Sequence, residues 1–257
     1  MSAKWMKTEI LYGIHPVTEA VRAGKRDIFE VYVSKHLSSK RFDKIKKLIS
    51  SLDINALKVR PDRLEEMAPG LRHQGICAKT GAFPYTGFSE MIERKKEPGQ
   101  NRFFLLLDNI LDPNNFGAIA RSALCVGVDG IIIPKDRSVS ATPAVSKASA
   151  GALEHARVAI VNNLANTVKI LKKYGVWIYG MDMAADQTIY STDFCVDMAI
   201  IIGGEEKGIR PLPKKLCDLL ISIPQVAKID SLNASAAGAV VMYEALRQRN
   251  YKNNRLV

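Results

Sequence analysis

Five short apolar runs dominate the chain beyond residue 101: FFLLLD at 103–108, GIIIP at 130–134, VWIYG at 176–180, MAIII at 198–202 and LLISI at 219–223. Stretches with helical spacing of apolar residues separate them. Strands that read as near-continuous apolar runs are those buried on both faces. Their alternation with helices predicts an α/β fold with a mostly parallel sheet covered on both sides. Ligand-binding residues then belong where the carboxyl ends of strands meet the starts of helices.

Residues before 84 have a different order. HPVTEAVRAG at 15–24 has Pro16 early and Gly24 as a stop, as a short helix does. IFEVYV at 28–33 alternates like a half-buried strand. SKRFDKIKKLISS at 39–51 places Phe42, Ile45, Leu48 and Ile49 on one helical stripe and Lys40, Lys44 and Lys47 on the other. Strands near 55–59 and 76–82, with a short helix after Pro61, complete a small α/β unit. FPYTGFSEMIERKKEPGQN at 83–101 interrupts the pattern with Pro, Gly and charges. The expected division is a domain over 1–83, a linker over 84–101 and a second domain over 102–257.

The formal charge is +11, and residues 1–100 alone hold 19 basic against 12 acidic side chains. An excess spread over both halves suits a polyanionic partner such as nucleic acid, although solvated lysines produce the same balance. No run of 18 apolar residues occurs, and the opening MSAKWMKTEIL lacks the apolar core of a secretion signal. A cytoplasmic protein without a membrane span is therefore expected. The four cysteines and four histidines are scattered, with no C-x-x-C pair, which supports neither a disulfide framework nor a metal site. Cys125 lies in an apolar stretch and is expected to be buried.

Three junctions beyond residue 101 carry unusual residues. In DPNNFGAIARSA at 112–123, Asp112-Pro113 sets a turn, Asn115 is a candidate N-cap and Gly117 removes a side chain from the first turn. Arg121 comes one turn later on the same face, opposite an inward stripe of Phe116, Ala120, Ala123 and Leu124. It is either an ordinary surface arginine or a grip for a phosphate or carboxylate. GGEEKG at 203–208 comes after an apolar strand; its glycines permit close backbone approach, for a ligand or simply for a turn. The pattern is neither a Walker loop nor G-x-G-x-x-G. After Pro224, SLNASAAGA at 231–239 starts a helix with almost no side-chain bulk. Capping accounts for one of its polar residues, but not for Ser231, Asn233 and Ser235 together.

Taken in order, these motifs resemble those of the SpoU-type (TrmH-like) SPOUT RNA methyltransferases. DPNNFGAIARSA matches the family's first motif, GGEEKG its second, and IP at 223–224 with SLNAS at 231–235 its third. LYGIHPVTEAV at 11–21 and HQGI at 73–76 are similar to the L30e-like RNA-binding domain that often precedes this catalytic domain. PKDRS at 134–138 and LISIP at 220–224 are similar to the branch that methylates a guanosine ribose in large-subunit rRNA. Gln225 and Ala227 stand where the family usually has Met and Gly.

The resemblance implies transfer of a methyl group from S-adenosylmethionine to a ribose 2′-hydroxyl, on a guanosine of 23S-type rRNA. Methylation of tRNA or of another rRNA nucleotide (including a resistance-type modification) and a catalytically silent RNA-binding factor are the alternatives. It also implies a deep trefoil knot in the second domain, which ordinary chain connectivity makes rare, and a homodimer through that domain. Asn115, Arg121, Glu205, Ser231 and Asn233 map to the catalytic constellation, and Gly203, Gly204, Ile223 and Leu232 to the cofactor site, with no metal needed. Because an arginine stays protonated, Arg121 is expected to hold substrate phosphate and stabilise alkoxide charge rather than abstract a proton. Glu205 is expected to orient Arg121 or Asn115. The first domain is expected to supply RNA affinity, with Lys40, Lys44, Lys46, Lys47 and Arg72 as candidate phosphate contacts. The cluster at 40–47 equally suits a solvated helix face.

Overall fold

The computed structural model describes residues 8–37, 40–52, 54–226 and 232–252, with their side chains except at 40–44, 251 and 252. One compact unit comprises the residues up to Pro84 together with Ala141–His155; the other comprises Tyr85–Ser140 and the residues from Ala156 on.

In the first unit, β1 (Thr8–Tyr12), β2 (Ile28–Ser34), β3 (Ala56–Val59) and β4 (Ile76–Gly81) form a sheet of order β1-β4-β2-β3. β4 runs antiparallel to both its neighbours, and β3 parallel to β2. The helices are α1 (Ile14–Ala23), α2 (Lys40–Ser51) and α3 (Pro61–Met67). Gly24 ends α1 at a φ of 59°, the left-handed conformation that a glycine reaches without cost. Leu11, Val17, Val31, Ile45, Ile49 and Ile76 fill one core, so two members of the expected α2 stripe point inward. The side chain of Phe42 lies outside the described residues. β1 was not among the expected strands: only Leu11 and Tyr12 of its five residues are buried, which leaves little alternation to read.

In the second unit, β5 (Phe103–Asp108), β6 (Gly130–Pro134), β7 (Val158–Val161), β8 (Trp177–Met181), β9 (Met198–Gly203) and β10 (Leu219–Ile221) form a sheet of order β10-β8-β9-β5-β6-β7. Every pair in it is parallel, as the apolar runs predict. All six residues of β5 are buried. β7 is not evident in the sequence because it has four residues and exposes Ile160 on the edge strand. The helices are α4 (Phe88–Glu93), α5 (Pro113–Val126), α7 (Leu164–Lys173), α8 (Pro211–Lys215) and α9 (Ala234–Lys252), while α6 (Pro143–Ala148) belongs to the first unit.

Four local expectations differ from the structure. The stretch at 84–101 contains α4, whose Met91 and Ile92 are buried in the core of the second sheet. Gly130 makes room for that helix, since a Cβ there would lie 2.2 Å from the Met91 sulfur. α5 buries Phe116, Ile119, Ala120 and Ala123, and this turns Leu124 and Cys125 to the exposed side. Asp112, not Asn115, caps α5: its carboxylate accepts from the Asn114 amide at 2.9 Å, with Pro113 at the first helical position.

Segment 141–155 is held in the first unit by buried charge. The fully buried Arg26 guanidinium donates to Glu154 at 3.1 and 3.2 Å, to Glu9 at 2.6 Å and to the Gly81 carbonyl at 3.1 Å. Ser146 adds a 2.7 Å bond to Glu154. Among the described residues, no helix is long and apolar enough to cross a membrane. The knot implied by the resemblance depends on how the chain passes from β10 to α9, and 227–231 of that passage lie outside the described residues.

Candidate active site

β5 lies beside β9 although three strands separate them in sequence. From β5 the chain winds outward through β6 to β7, then resumes on the opposite side. The direction of winding therefore reverses between β5 and β9, where open α/β sheets form their ligand crevice. The carboxyl ends of these two strands, Asp108 and Gly203, are in register.

Asp108 anchors the loop that leaves β9. Its side chain is fully buried and accepts from Nε of Arg210 at 2.6 Å and from the Arg210 backbone amide at 2.8 Å. Its carbonyl accepts from Gly204 N at 2.8 Å. The loop between these anchors closes on itself through a 2.8 Å bond from Gly208 N to the Gly204 carbonyl, with Gly208 at φ 57°. A Cβ on Gly203 would lie 2.3 Å from the Gly208 backbone, and one on Gly204 would lie 2.2 Å from the Asn109 carbonyl oxygen. The glycines of GGEEKG thus answer to the chain's own backbone, which forces the loop into a single tight shape.

That shape presents Glu205 to two asparagines. The side-chain oxygen of Asn233 accepts from Ser235 N at 3.0 Å, Ser235 Oγ at 2.6 Å and Ala236 N at 3.2 Å, so it caps α9. With the oxygen committed, its amide nitrogen faces the opposite way and donates to Asn115 Oδ1 at 2.9 Å and to Glu205 Oε1. Asn115 Nδ2 in turn donates to Glu205 Oε1 at 3.0 Å. Each donor meets an acceptor, and the capping bonds settle both amide orientations. Glu205 Oε2 has no partner among the described residues.

Two cavities of about 440 Å³ each flank this cluster. One opens at the carboxyl ends of β8, β9 and β10, and Gly203, Gly204, Ile223, Gln225 and Leu232 all line it. Small residues at the start of α9 serve this space: Ala234 and Ala237 form part of the wall, and Gly238 lets the helix approach Ile202 of β9, 3.0 Å from where a Cβ would lie. Asp182 stands in the same wall, paired with Lys214. Burial pushes its carboxyl up, but Lys214 and the Ala184 amide outweigh burial and hold it below its ordinary value. The second cavity is lined by Asn115, Leu111 and Arg137 among others, and both cavities share Gly204, Glu205, Glu206 and Lys207.

Of the residues expected to be catalytic, the structure brings Asn115, Glu205 and Asn233 together. Arg121 is exposed on α5, lines neither cavity, and its side chain makes no hydrogen bond or ion pair among the described residues. Glu205 therefore meets Asn115 and not Arg121. Ser231 and Ala227 lie outside the described residues. Lys46, Lys47 and Arg72 are exposed, while the side chains of Lys40 and Lys44 lie outside the described residues. Sequence reasoning missed Asp108 and Arg210. The usable signal was an acid closing the run FFLLLD, where a charge must be buried and so must have a partner.

Comparison with known proteins agrees with this geometry. The model of the SpoU rRNA Methylase family matches residues 102–243, and that of RNA 2′-O ribose methyltransferase substrate binding matches 10–86. YacO of Bacillus subtilis, assigned to the TrmH family of tRNA/rRNA methyltransferases, is 36% identical over 242 residues, covering 94% of this chain and 96% of that protein. The 23S rRNA (guanosine-2′-O-)-methyltransferase RlmB of Photorhabdus laumondii is 35% identical over 246 residues, covering 95% and 99%. Among solved structures, the SpoU methyltransferase AviRb of Streptomyces viridochromogenes, in complex with AdoMet, superposes with a TM-score of 0.78 over 93% of this chain and 89% of that one, at 24% identity. With both halves matched and the switch-point cluster formed from the family's three motifs, the chain belongs to the SpoU rRNA methylase family.

Proposed function

We propose that the protein transfers a methyl group from S-adenosylmethionine to the 2′-hydroxyl of a guanosine in large-subunit rRNA. The observation that carries this reading is the Asn115–Glu205–Asn233 cluster, set between two cavities at the reversal point of the sheet. The relatives named for a 23S rRNA guanosine support the substrate, and tRNA is the second reading because YacO carries the broader tRNA/rRNA description.

The cavity at the ends of β8, β9 and β10 suits the cofactor. Its volume is that of a small-molecule site, its walls mix apolar side chains such as Ile202, Ile221 and Leu232 with carboxylates, and the backbone at Gly203 and Gly204 is unshielded by side chains. Gly203, Gly204, Ile223 and Leu232 would hold it. When bound, S-adenosylmethionine supplies an electrophilic methyl on a positively charged sulfur. The remaining task of this chain is to position the hydroxyl and manage its proton as the C–S bond breaks and the C–O bond forms. In this reading Glu205 offers Oε2 to the hydroxyl while the two asparagine amides hold the carboxylate in place. Arg121, permanently charged, grips a substrate phosphate and stabilises developing alkoxide charge, and Ser231 completes the constellation.

The first unit supplies RNA affinity through Lys40, Lys44, Lys46, Lys47 and Arg72. The knotted second domain pairs two chains in a homodimer, for which the exposed Leu124 of α5 and Val240 and Tyr243 of α9 offer apolar surface. The reaction takes place in the cytoplasm. Calorimetric titration with S-adenosylmethionine tests the first step, and absence of binding would refute the enzyme reading. Mapping ribose methylation in RNA from cells with and without this gene identifies the nucleotide. Arg121→Lys should lower kcat/KM at least about tenfold, since a lysine cannot reproduce the planar fork; near-full activity would remove that role.

A further inference from the structure

The cavity beside Asn115 has features that methyl transfer itself does not use. Among the described residues, four non-glycine positions have positive φ, and two of them, Asn109 at 59° and Arg137 at 58°, line this one space. Asparagine tolerates that conformation; arginine rarely adopts it, and such backbone strain persists where the surroundings impose it. The loop is pinned by a 2.9 Å bond from Val139 N to the Ile110 carbonyl. Arg137 is exposed, and its guanidinium has no hydrogen-bond or ion-pair partner among the described residues. Three carboxylate residues, Asp112, Glu205 and Glu206, and a second cation, Lys207, line the same space, with Leu111, 66% exposed, as an apolar surface.

A phosphate would gain little in a space with carboxylates on its wall. A planar group that offers donors on one edge and acceptors on another fits that charge pattern. Guanine has this arrangement: N1–H and the N2 amine as adjacent donors, O6 and N7 as adjacent acceptors. The wall of Gly204, Glu205, Glu206 and Lys207 separates this cavity from the cofactor space, so a nucleoside lodged here lies just across that wall from the cofactor.

We propose that this second cavity receives the base of the target nucleotide, with Arg137 reading the O6/N7 edge and Glu206 the N1/N2 edge of a guanine. This inference rests on the methyltransferase reading above and adds the determinant of base choice. Arg137 and Glu206 are specificity residues, distinct from the Asn115–Glu205–Asn233 cluster.

The test uses the full-length protein and an rRNA fragment spanning the mapped methylation site. The fragment carries guanosine, 7-deazaguanosine or inosine at that one nucleotide. Arg137→Gly keeps the positive φ without strain, so calorimetry should show unchanged S-adenosylmethionine affinity. Its kcat/KM on guanosine RNA should fall about 10- to 100-fold, the range of one bidentate base contact. The wild-type protein should penalise 7-deazaguanosine, which lacks N7, and Arg137→Gly should not. Glu206→Gln should in the same way weaken the penalty for inosine, which lacks the N2 amine. An Arg137→Gly protein that still discriminates against 7-deazaguanosine as the wild type does would overturn the proposal, as would a mapped target other than guanosine. Wild-type protein that binds no S-adenosylmethionine would instead refute the enzyme reading, and this inference with it.

Discussion

Each unit of the molecule contains a buried arginine–carboxylate cluster, and the two clusters do different things. In the first unit, Arg26 and Glu154 are both inaccessible, and they join residues 128 apart in the chain. That cluster determines which segments belong to the unit: it carries 141–155 into a body otherwise built from the chain's first third. In the second unit, Asp108 is inaccessible but Arg210 is partly exposed, and the pair bounds the loop that presents Glu205. There the buried charge sets the shape of a site. Burying an ion pair is costly in either place, so neither is explained by stability alone. The first cluster works through assembly of its unit and the second through placement of a functional group.

Breaking the clusters one at a time should separate these roles. Arg26→Met leaves Glu154 buried without its cation and should reduce unfolding free energy by about 3–5 kcal/mol, read by urea denaturation. The folded fraction should keep its S-adenosylmethionine affinity. Arg210→Ala spares the backbone bond to Asp108 and should cost only about 1–3 kcal/mol. Its kcat/KM for methyl transfer should nevertheless fall more than about tenfold, because Glu205 loses its fixed position. If the two variants lost activity only in proportion to stability, the contrast would collapse.

A third pair tests how much partial burial matters. The Asp182 carboxyl is held below its ordinary value of 3.8, so its pairing with Lys214 contributes stability that is fully present above that value. The contribution disappears as pH falls through the lowered folded-state value. Asp182→Asn should therefore be less stable than wild type near pH 6, with the difference shrinking once pH falls below 3.8. The smallest effect is expected where charge has no buried partner at all. Replacing Lys46 and Lys47 with Ala should leave stability unchanged and lower the salt slope of RNA binding by about two. An unchanged slope would return these lysines to an ordinary solvated helix face.

Much of the site was legible because its residues lie within motifs at strand ends, where the parallel-sheet rule already directs attention. Asn115, Glu205 and Asn233 stand out in three separate stretches without any knowledge of the contacts between them. Their roles shift once the contacts are visible. The capping role expected of Asn115 belongs to Asp112, because Pro113 starts the helix three residues earlier than a cap at Asn115 would. The cap expected at Ser231 or Asn233 falls to Asn233, and its capping bonds are what orient the amide toward Glu205. Arg121 could be named but not placed beside any partner, since its position on the helix surface says nothing about what approaches from outside. Asp108 with Arg210 and Arg26 with Glu154 were not legible, because no local pattern states which distant charge a buried charge will meet.

By itself the sequence determined the alternation of strand and helix, the basic surplus and the three motifs. Each depends on residues close together in the chain, whose periodicity and turn chemistry act locally. Only the tertiary structure decided that β5 pairs with β9, that 141–155 joins the first unit and that two cavities share one wall. Those outcomes arise from long-range burial of charge and apolar surface, a property of the whole packed molecule rather than of any one stretch of it.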